Sequence, residues 1–546
     1  MLCGKRSNRT NEDGNRIASL VFSVLFSLDY MAGRELYAKN QIEHIFENGG
    51  VLSLFFLKTS ALSVLIYLLF EKLILRWIII VQKRSFEKQV NIIMIRPVLR
   101  FFLIWAGVFL SWFPAFLAYY PGILSYDSHT QTKIVFGIMS NSRFHPPLHT
   151  FIWKTCIDIG SIINVPAPAV YAIIQMTVLS FVLAYMLCII AVQQPFFMFF
   201  FFSFSFIAFN PVMGIMSLVM TKDILFTAVL TALTILYYRM EKDSGVFFNY
   251  LRYITALIVL NILACLLRNN MIYVLVLSYI IIIIIKKGFR LQLMSILIIS
   301  FFGYCLINGP VYDRMGIGPG NSREMLSVPI QQICRTAVTD DQTLSEEEKN
   351  QIDDFIPYES IDSLYNPRFA DPVKNKFNTS YFSDHKKEFV HLWIRLLKRH
   401  PAAYIDAFLE LNIPYWYIGA KSVDPYSRRE FIESGIRKLD FYPVQRLSKA
   451  PRLLKIYESF AKYELFSDKP AYMSMLYSIA FPIWMLLFCI TVMIRQNRKK
   501  YYVCFIPYLF LWATYMAGPV SNFRYIFPLY VAYPFFLFLA IFSQDK

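Results

Sequence analysis

Twelve apolar runs divide the chain, at 17–31, 51–71, 98–119, 167–192, 196–213, 219–238, 253–267, 271–285, 291–308, 471–494, 501–518 and 525–542. A helix needs roughly 20 mostly apolar residues to cross the hydrocarbon core of a bilayer. Backbone polar groups cannot be left unpaired in lipid, so such runs fold as helices. Composition agrees: 56% of the residues are hydrophobic, only 17% are charged, and the mean hydropathy is +0.45. With 51 Phe and 35 Tyr, the apolar surface exceeds what one water-soluble core can hide. Disordered, collagen-like and disulfide-scaffold classes are excluded by the same figures. The expected fold class is an all-α polytopic membrane protein of about 12 transmembrane helices.

The net charge of +17 is unevenly placed. The one long polar stretch, Gly309–Pro470, carries 23 basic and 23 acidic residues, so the whole excess lies outside it. There it sits in short connections: 72–100 holds Lys72, Arg76, Lys83, Arg84, Lys88, Arg96 and Arg100 against Glu87. Lys286, Lys287 and Arg290 follow the eighth run, and Arg495, Arg498, Lys499 and Lys500 follow the tenth. Charge confined to alternate connections is the mark of membrane topology, with Lys and Arg on the cytoplasmic side. A nucleic-acid binder needs a basic face on a folded domain instead, so no nucleic-acid partner is expected. On this pattern both termini are cytoplasmic and 309–470 is extracytoplasmic. The basic start before 17–28 resembles a signal peptide, but Asp29 and Tyr30 stand where small residues should allow cleavage, so we read it as an uncleaved span. The eight Cys are scattered singly, without metal-site or disulfide spacing.

Four segments follow: 1–97, two spans and a basic cytoplasmic loop; 98–308, a membrane core of spans three to nine; 309–470, a mostly helical extracytoplasmic domain; and 471–546, the last three spans. Within the domain, Ser345–Glu348 reads as an acidic helix start. Lys386–His400 places Phe389, Leu392, Trp393, Leu396 and Leu397 at helical spacing, with Pro401 ending or restarting the helix. Asn210, Pro211 and Gly214 predict a broken or re-entrant helix.

Candidate chemistry collects in the outer connections. After the Tyr120-Pro121-Gly122 turn, a short helix places Asp127 and Gln131 four residues apart on one face. Asp127 suits a general base at the boundary, or simply a helix cap. His145 and His149, split by two prolines, suit phosphate, metal or proton transfer, or a solvated loop. Lys222 and Asp223 open the sixth span and could neutralise each other. Arg268, followed by Asn269 and Asn270, has no acidic neighbour in sequence, and its fork suits phosphate oxygens. Arg524 repeats the theme before the last span. Three cations with one lone carboxylate suggest an anionic substrate and a base, and a polyprenyl-phosphate lipid would present its head group at that depth.

The Tyr120-Pro-Gly…Asp127…Gln131 block, Thr221–Phe226, Arg268–Asn270, Ser327–Ile333 and Asn522–Tyr525 resemble an uncharacterised family of bacterial membrane proteins common in low-GC Gram-positive organisms. That likeness runs from about residue 98 to the end. The family in turn looks like a distant branch of the GT-C glycosyltransferases, multi-span enzymes using polyprenyl-phosphate sugars at the outer face. The resemblance implies Asp127 as base or divalent-metal contact, with Arg268, Lys222 and Arg524 holding phosphate. It also implies a cell-surface glycan or lipid acceptor and a place in the bacterial cytoplasmic membrane. The chain departs from the GT-C pattern in having its acidic loop after the third span, one Asp rather than an acidic pair, and its insertion before the last three spans. A transporter or flippase of lipid-linked or anionic solutes is the runner-up, and a surface-polysaccharide polymerase the third reading. Mid-span ionisable residues, which a transporter would need along its path, are scarce.

Overall fold

A computed structural model of the chain describes residues 2–42, 45–46, 48–87, 96–124, 126–193, 197–320, 322–420, 442, 447–461, 478–498 and 500–542. Outside these fall part of the basic connection (88–95, with Lys88), the segments 421–441, 443–446 and 462–470 of the polar insertion, the start of the tenth run (471–477), and Lys499. Among the described residues, each apolar run lies mainly on helix. Among the described residues, six helices are long and apolar enough to cross a membrane: Asn15–Lys39, Pro97–Ala118, Ala167–Val192, Lys222–Lys242, Lys287–Arg314 and Phe523–Phe542. Five shorter apolar helices, Phe197–Ala208, Leu251–Leu267, Met271–Ile285, Phe481–Arg495 and Tyr502–Tyr515, pack among them.

The fifth run shows why some helices are short. Phe197–Ala208 stops before Asn210, whose side chain caps a new helix, Pro211–Met216, by accepting from Val212 N at 3.0 Å. This is the break expected from sequence. Gly214 lies against the neighbouring helix, where an added Cβ would stand 3.3 Å from Ala115 Cβ. The chain then forms a two-residue strand, β2 (Val219–Met220), before the helix Lys222–Lys242 begins.

That strand pairs in parallel with β1 (Ile123–Leu124), Ile123 opposite Val219 and Leu124 opposite Met220. Gly122 leads into β1 at φ +147°, and a Cβ there would meet the Pro168 carbonyl oxygen at 3.0 Å. Only glycine fits both the backbone angle and the space. The pairing fixes the Asp127 helix (Tyr126–Val135) beside the N-terminus of Lys222–Lys242. One end of the bundle thus collects the beginnings of Lys222–Lys242 and Phe523–Phe542 and the end of Leu251–Leu267. The other end is joined by ion pairs, Arg495 to Glu71 at 2.8 Å and Lys286 to Glu241 at 2.6 Å.

The polar insertion has its own apolar core of Ile330, Ile352, Phe355, Phe377, Phe389 and Leu396, among others. The acidic helix starts as expected: Ser345 and Glu348 form a reciprocal capping box on Glu346–Phe355. Lys386–Arg399 buries Phe389, Leu392 and Leu396, and Pro401 opens the next helix, Pro401–Leu411. That next helix seats the insertion on the bundle. Ser521 Oγ donates to Leu411 O at 3.2 Å, Asn412 Nδ2 to Met516 O at 3.0 Å, and Asn522 N to Tyr415 Oη at 3.2 Å. The connection leading into the helix that carries Arg524 is therefore held by the insertion.

Candidate functional site

Five charged side chains from four segments meet at this end as an alternating chain. Lys222 Nζ lies 3.2 Å from Asp127 Oδ2, and Arg524 Nη1 reaches the same oxygen at 3.2 Å. Arg524 Nε also faces Asp223 Oδ2 at 3.6 Å, and Asp223 in turn pairs with Arg268. Asp127 and Arg268 are thus connected through Arg524 and Asp223. All five are largely shielded, Asp223 entirely so. Charges removed from water this far are stable only when paired.

The pairing differs from the sequence expectation in two respects. Lys222 and Asp223 do not neutralise each other, because successive residues of a helix point about 100° apart. Each finds a partner on a different segment. Asp127 is also not the lone carboxylate, nor a cap: it stands in the first turn of its helix and faces two cations.

Arg268 is fully engaged. Its Nε donates to Asn270 Oδ1 at 2.9 Å, and its guanidinium lies over the rings of Tyr515 at 4.6 Å and Tyr525 at 4.7 Å. Asn270 Nδ2 donates to Thr514 Oγ1 at 2.7 Å, while Asn269 turns away to donate to the Arg143 carbonyl at 2.9 Å. Arg143 itself pairs with Asp313. Arg268 therefore fixes Asp223, and Asp223 fixes Arg524.

Behind Asp127 runs a neutral hydrogen-bond chain. Gln131 Nε2 lies 3.0 Å from Thr150 Oγ1, and its amide oxygen 2.8 Å from His149 Nδ1. His149 Nε2 and Gln175 Oε1 both lie within hydrogen-bond distance of Tyr171 Oη, at 2.8 and 2.9 Å. Gln175 Nε2 donates to the carbonyls of Ser217 and Val219 at 2.8 and 2.9 Å. This network braces the β1–β2 junction. Tyr171 and Gln175 were not singled out from sequence, although two polar side chains four apart inside an apolar run were a usable signal. His145 is different. It is 94% buried (6% exposed), and its Nδ1 has no hydrogen-bond partner among the described residues.

Burial disfavours the Asp127 carboxylate, but Arg524 and Lys222 outweigh it and hold the group well below the usual carboxylate range. Burial pulls His145 down to about 4, against the opposing pull of Asp127. Burial likewise pulls His149 down to about 3. Both rings are neutral at pH 7. Because the unfolded chain takes up these protons from about pH 6.5 downward, folding is weakened as pH falls through that point and the loss levels off below about 3. Melting of the purified protein in detergent at pH 7 and 4.5 checks this. We expect a clearly lower melting temperature at pH 4.5, and a His149→Gln variant should lose part of that difference. Equal melting at both pH values would contradict it.

Among the described residues no three His, Cys, Asp or Glu side chains are grouped as metal ligands. The two carboxylates here face Lys222, Arg268 and Arg524, a donor set that does not fit a divalent cation.

In comparison with known proteins, residues 144–546 match the profile of a family of unknown function, DUF6020. The matched part contains His145, His149, Lys222, Asp223, Arg268 and Arg524, and begins just after the Asp127 helix. No curated protein and no solved structure matches the chain.

Proposed function

The chain belongs to the DUF6020 family, and we propose that it is a membrane glycosyltransferase of GT-C type. It would move a sugar from a polyprenyl-phosphate donor to a cell-envelope acceptor at the outer face of the bacterial cytoplasmic membrane. The reading carries with it about twelve spans, cytoplasmic termini and an extracytoplasmic insertion. The observation that supports it is the meeting of Asp127, Lys222 and Arg524 in one shielded cluster, beside a His145 whose Nδ1 has no hydrogen-bond partner among the described residues.

In this reading the acceptor hydroxyl oxygen attacks the anomeric carbon while the carbon–oxygen bond to phosphate breaks. The hydroxyl proton goes to Asp127, and the lipid phosphate leaves with the electron pair. A carboxylate gripped by two cations is a weak base, so the cluster must first be rearranged. The donor's phosphate competes for Lys222 and Arg524, drawing them from Asp127 and raising its basicity. The base is therefore switched on by the donor. Arg268 stays with Asp223 as a positioning residue, and His145 offers a neutral ring nitrogen to a sugar or acceptor hydroxyl. No step runs through a metal.

Binding of a radiolabelled polyprenyl phosphate and of the matching polyprenol to the detergent-purified protein tests the phosphate site. The phosphate should bind at least tenfold tighter, and Lys222→Met should remove most of that margin. Equal affinity for phosphate and alcohol would overturn the assignment of Lys222 and Arg524.

A further inference from the structure

A cavity of about 770 Å³ opens at the opposite end of the bundle from the Asp127 cluster. Its wall includes Tyr238 and Arg239, which lie roughly 25 Å along the helix axis from Lys222. Phe101, Phe181 and Tyr185 make it aromatic, and Arg100, Arg239 and Lys242 make it basic.

Two of these cations stand at the ends of apolar helices. Arg100 lies in the first turn of Pro97–Ala118, and its Nε is buried without a hydrogen-bond partner among the described residues. Arg239 lies over the rings of Tyr185 at 5.3 Å and Tyr253 at 5.5 Å, and its Nη1 donates to Tyr253 Oη at 2.9 Å. One carboxylate, Asp243, shares the wall, with its Oδ1 accepting from Val246 N at 2.9 Å, against the three cations; Glu241 is paired with Lys286 at 2.6 Å. Cations at the ends of membrane-spanning helices sit at head-group level, where lipid phosphates meet them.

The walls say what kind of anion. Val98 is 69% exposed, and Phe181 and Val246 are each 47% exposed, so the cavity mouth is apolar and faces outward from the bundle. A hydrated free phosphate gains nothing from that surface, whereas acyl chains do. Basic pockets between transmembrane helices bind anionic lipid head groups. We infer that this cavity is a binding site for one anionic glycerophospholipid. Its phosphate sits between Arg100 and Arg239, its chains lie along Phe101 and Phe181, and Lys242 stands at the rim. The site is separate from the Asp127 cluster, and its test reads binding alone, so it stands or falls independently of the transfer chemistry.

The test is native mass spectrometry of the delipidated full chain titrated with phosphatidylglycerol, phosphatidylcholine or glycerol 3-phosphate. One phosphatidylglycerol should bind at least tenfold tighter than phosphatidylcholine, and excess glycerol 3-phosphate should not displace it. Arg100→Gln with Arg239→Gln should erase the preference while leaving phosphatidylcholine binding unchanged. If that double variant does not fold, Lys242→Gln should weaken the preference, and Val246→Trp should reduce binding of both lipids by filling the mouth. Equal binding of the two lipids, or a preference that survives loss of the cations, would overturn the inference. Displacement by glycerol 3-phosphate would show a soluble-anion site and overturn it as well.

Discussion

Replacing Arg524 by Ala should destroy both transfer activity and much of the stability of the bundle. This one guanidinium faces Asp127 at 3.2 Å and Asp223 at 3.6 Å, and it is only 11% exposed. Its loss leaves two shielded carboxylates with one cation fewer between them. Removing one partner of a buried pair typically costs about 3–5 kcal/mol, because the remaining charge is stranded. Asp127 retains Lys222 and Asp223 retains Arg268, which puts the expected loss nearer the lower figure. Arg524→Lys should recover most of the stability but little activity, since one ammonium cannot span both carboxylates as the fork does. Thermal melting in detergent and a transfer assay on the same preparations check this. An Arg524→Ala protein that melts like the wild type would mean the alternating charge chain contributes little to the fold.

Asp127→Asn should behave in the opposite way toward the lipid. The substitution removes the proton acceptor proposed for transfer, and base assistance typically contributes 10²–10⁴-fold. Transfer should therefore fall by roughly 10²-fold or more. Yet it also frees Lys222 and Arg524, which both face Asp127 Oδ2. Polyprenyl phosphate should bind at least as tightly as to the wild type. A merely structural role for Asp127 would not yield tighter phosphate binding together with lost turnover. If binding and transfer fell together, Asp127 would be a scaffold for the cations and not the base.

Much of this was legible in the sequence because lipid leaves few choices. Apolar runs in a bilayer have to be helices, and the described residues of the runs lie mainly on helix. Asn210 and Pro211 marked a break that the chain makes at that point. The amphipathic spacing of Phe389, Leu392 and Leu396 gave the side of Lys386–Arg399 that is buried. Polar residues isolated at the ends of such runs were also informative, since a charge there needs a partner or a task. Asp127, Gln131, His145, His149, Lys222, Asp223, Arg268 and Arg524 all lie at one end, though Asn269 points off to Arg143.

What could not be read was who pairs with whom. Lys222 and Asp223 are adjacent, and adjacency suggested a pair; helix geometry sends them to Asp127 and to Arg268 instead. The link between those pairs depends on Arg524, which is 397 residues from Asp127. The two-residue strands β1 and β2 carry no periodicity to detect, although they set the register of the whole site. The support of the loop before the Arg524 helix by Asn412, Tyr415 and the Leu411 carbonyl is a tertiary contact between an insertion and a span, and no local pattern announces it.

The most direct test of the central claim is a single-turnover assay. Membranes or micelles containing a polyprenyl-phosphate-linked sugar and a cell-envelope acceptor are incubated with purified wild-type protein or with Asp127→Asn. Release of polyprenyl phosphate is measured together with binding of the donor. The account predicts release by the wild type, and for Asp127→Asn a loss of roughly 10²-fold or more with donor binding kept. Donor binding without release by the wild type, or equal release by both proteins, would contradict it.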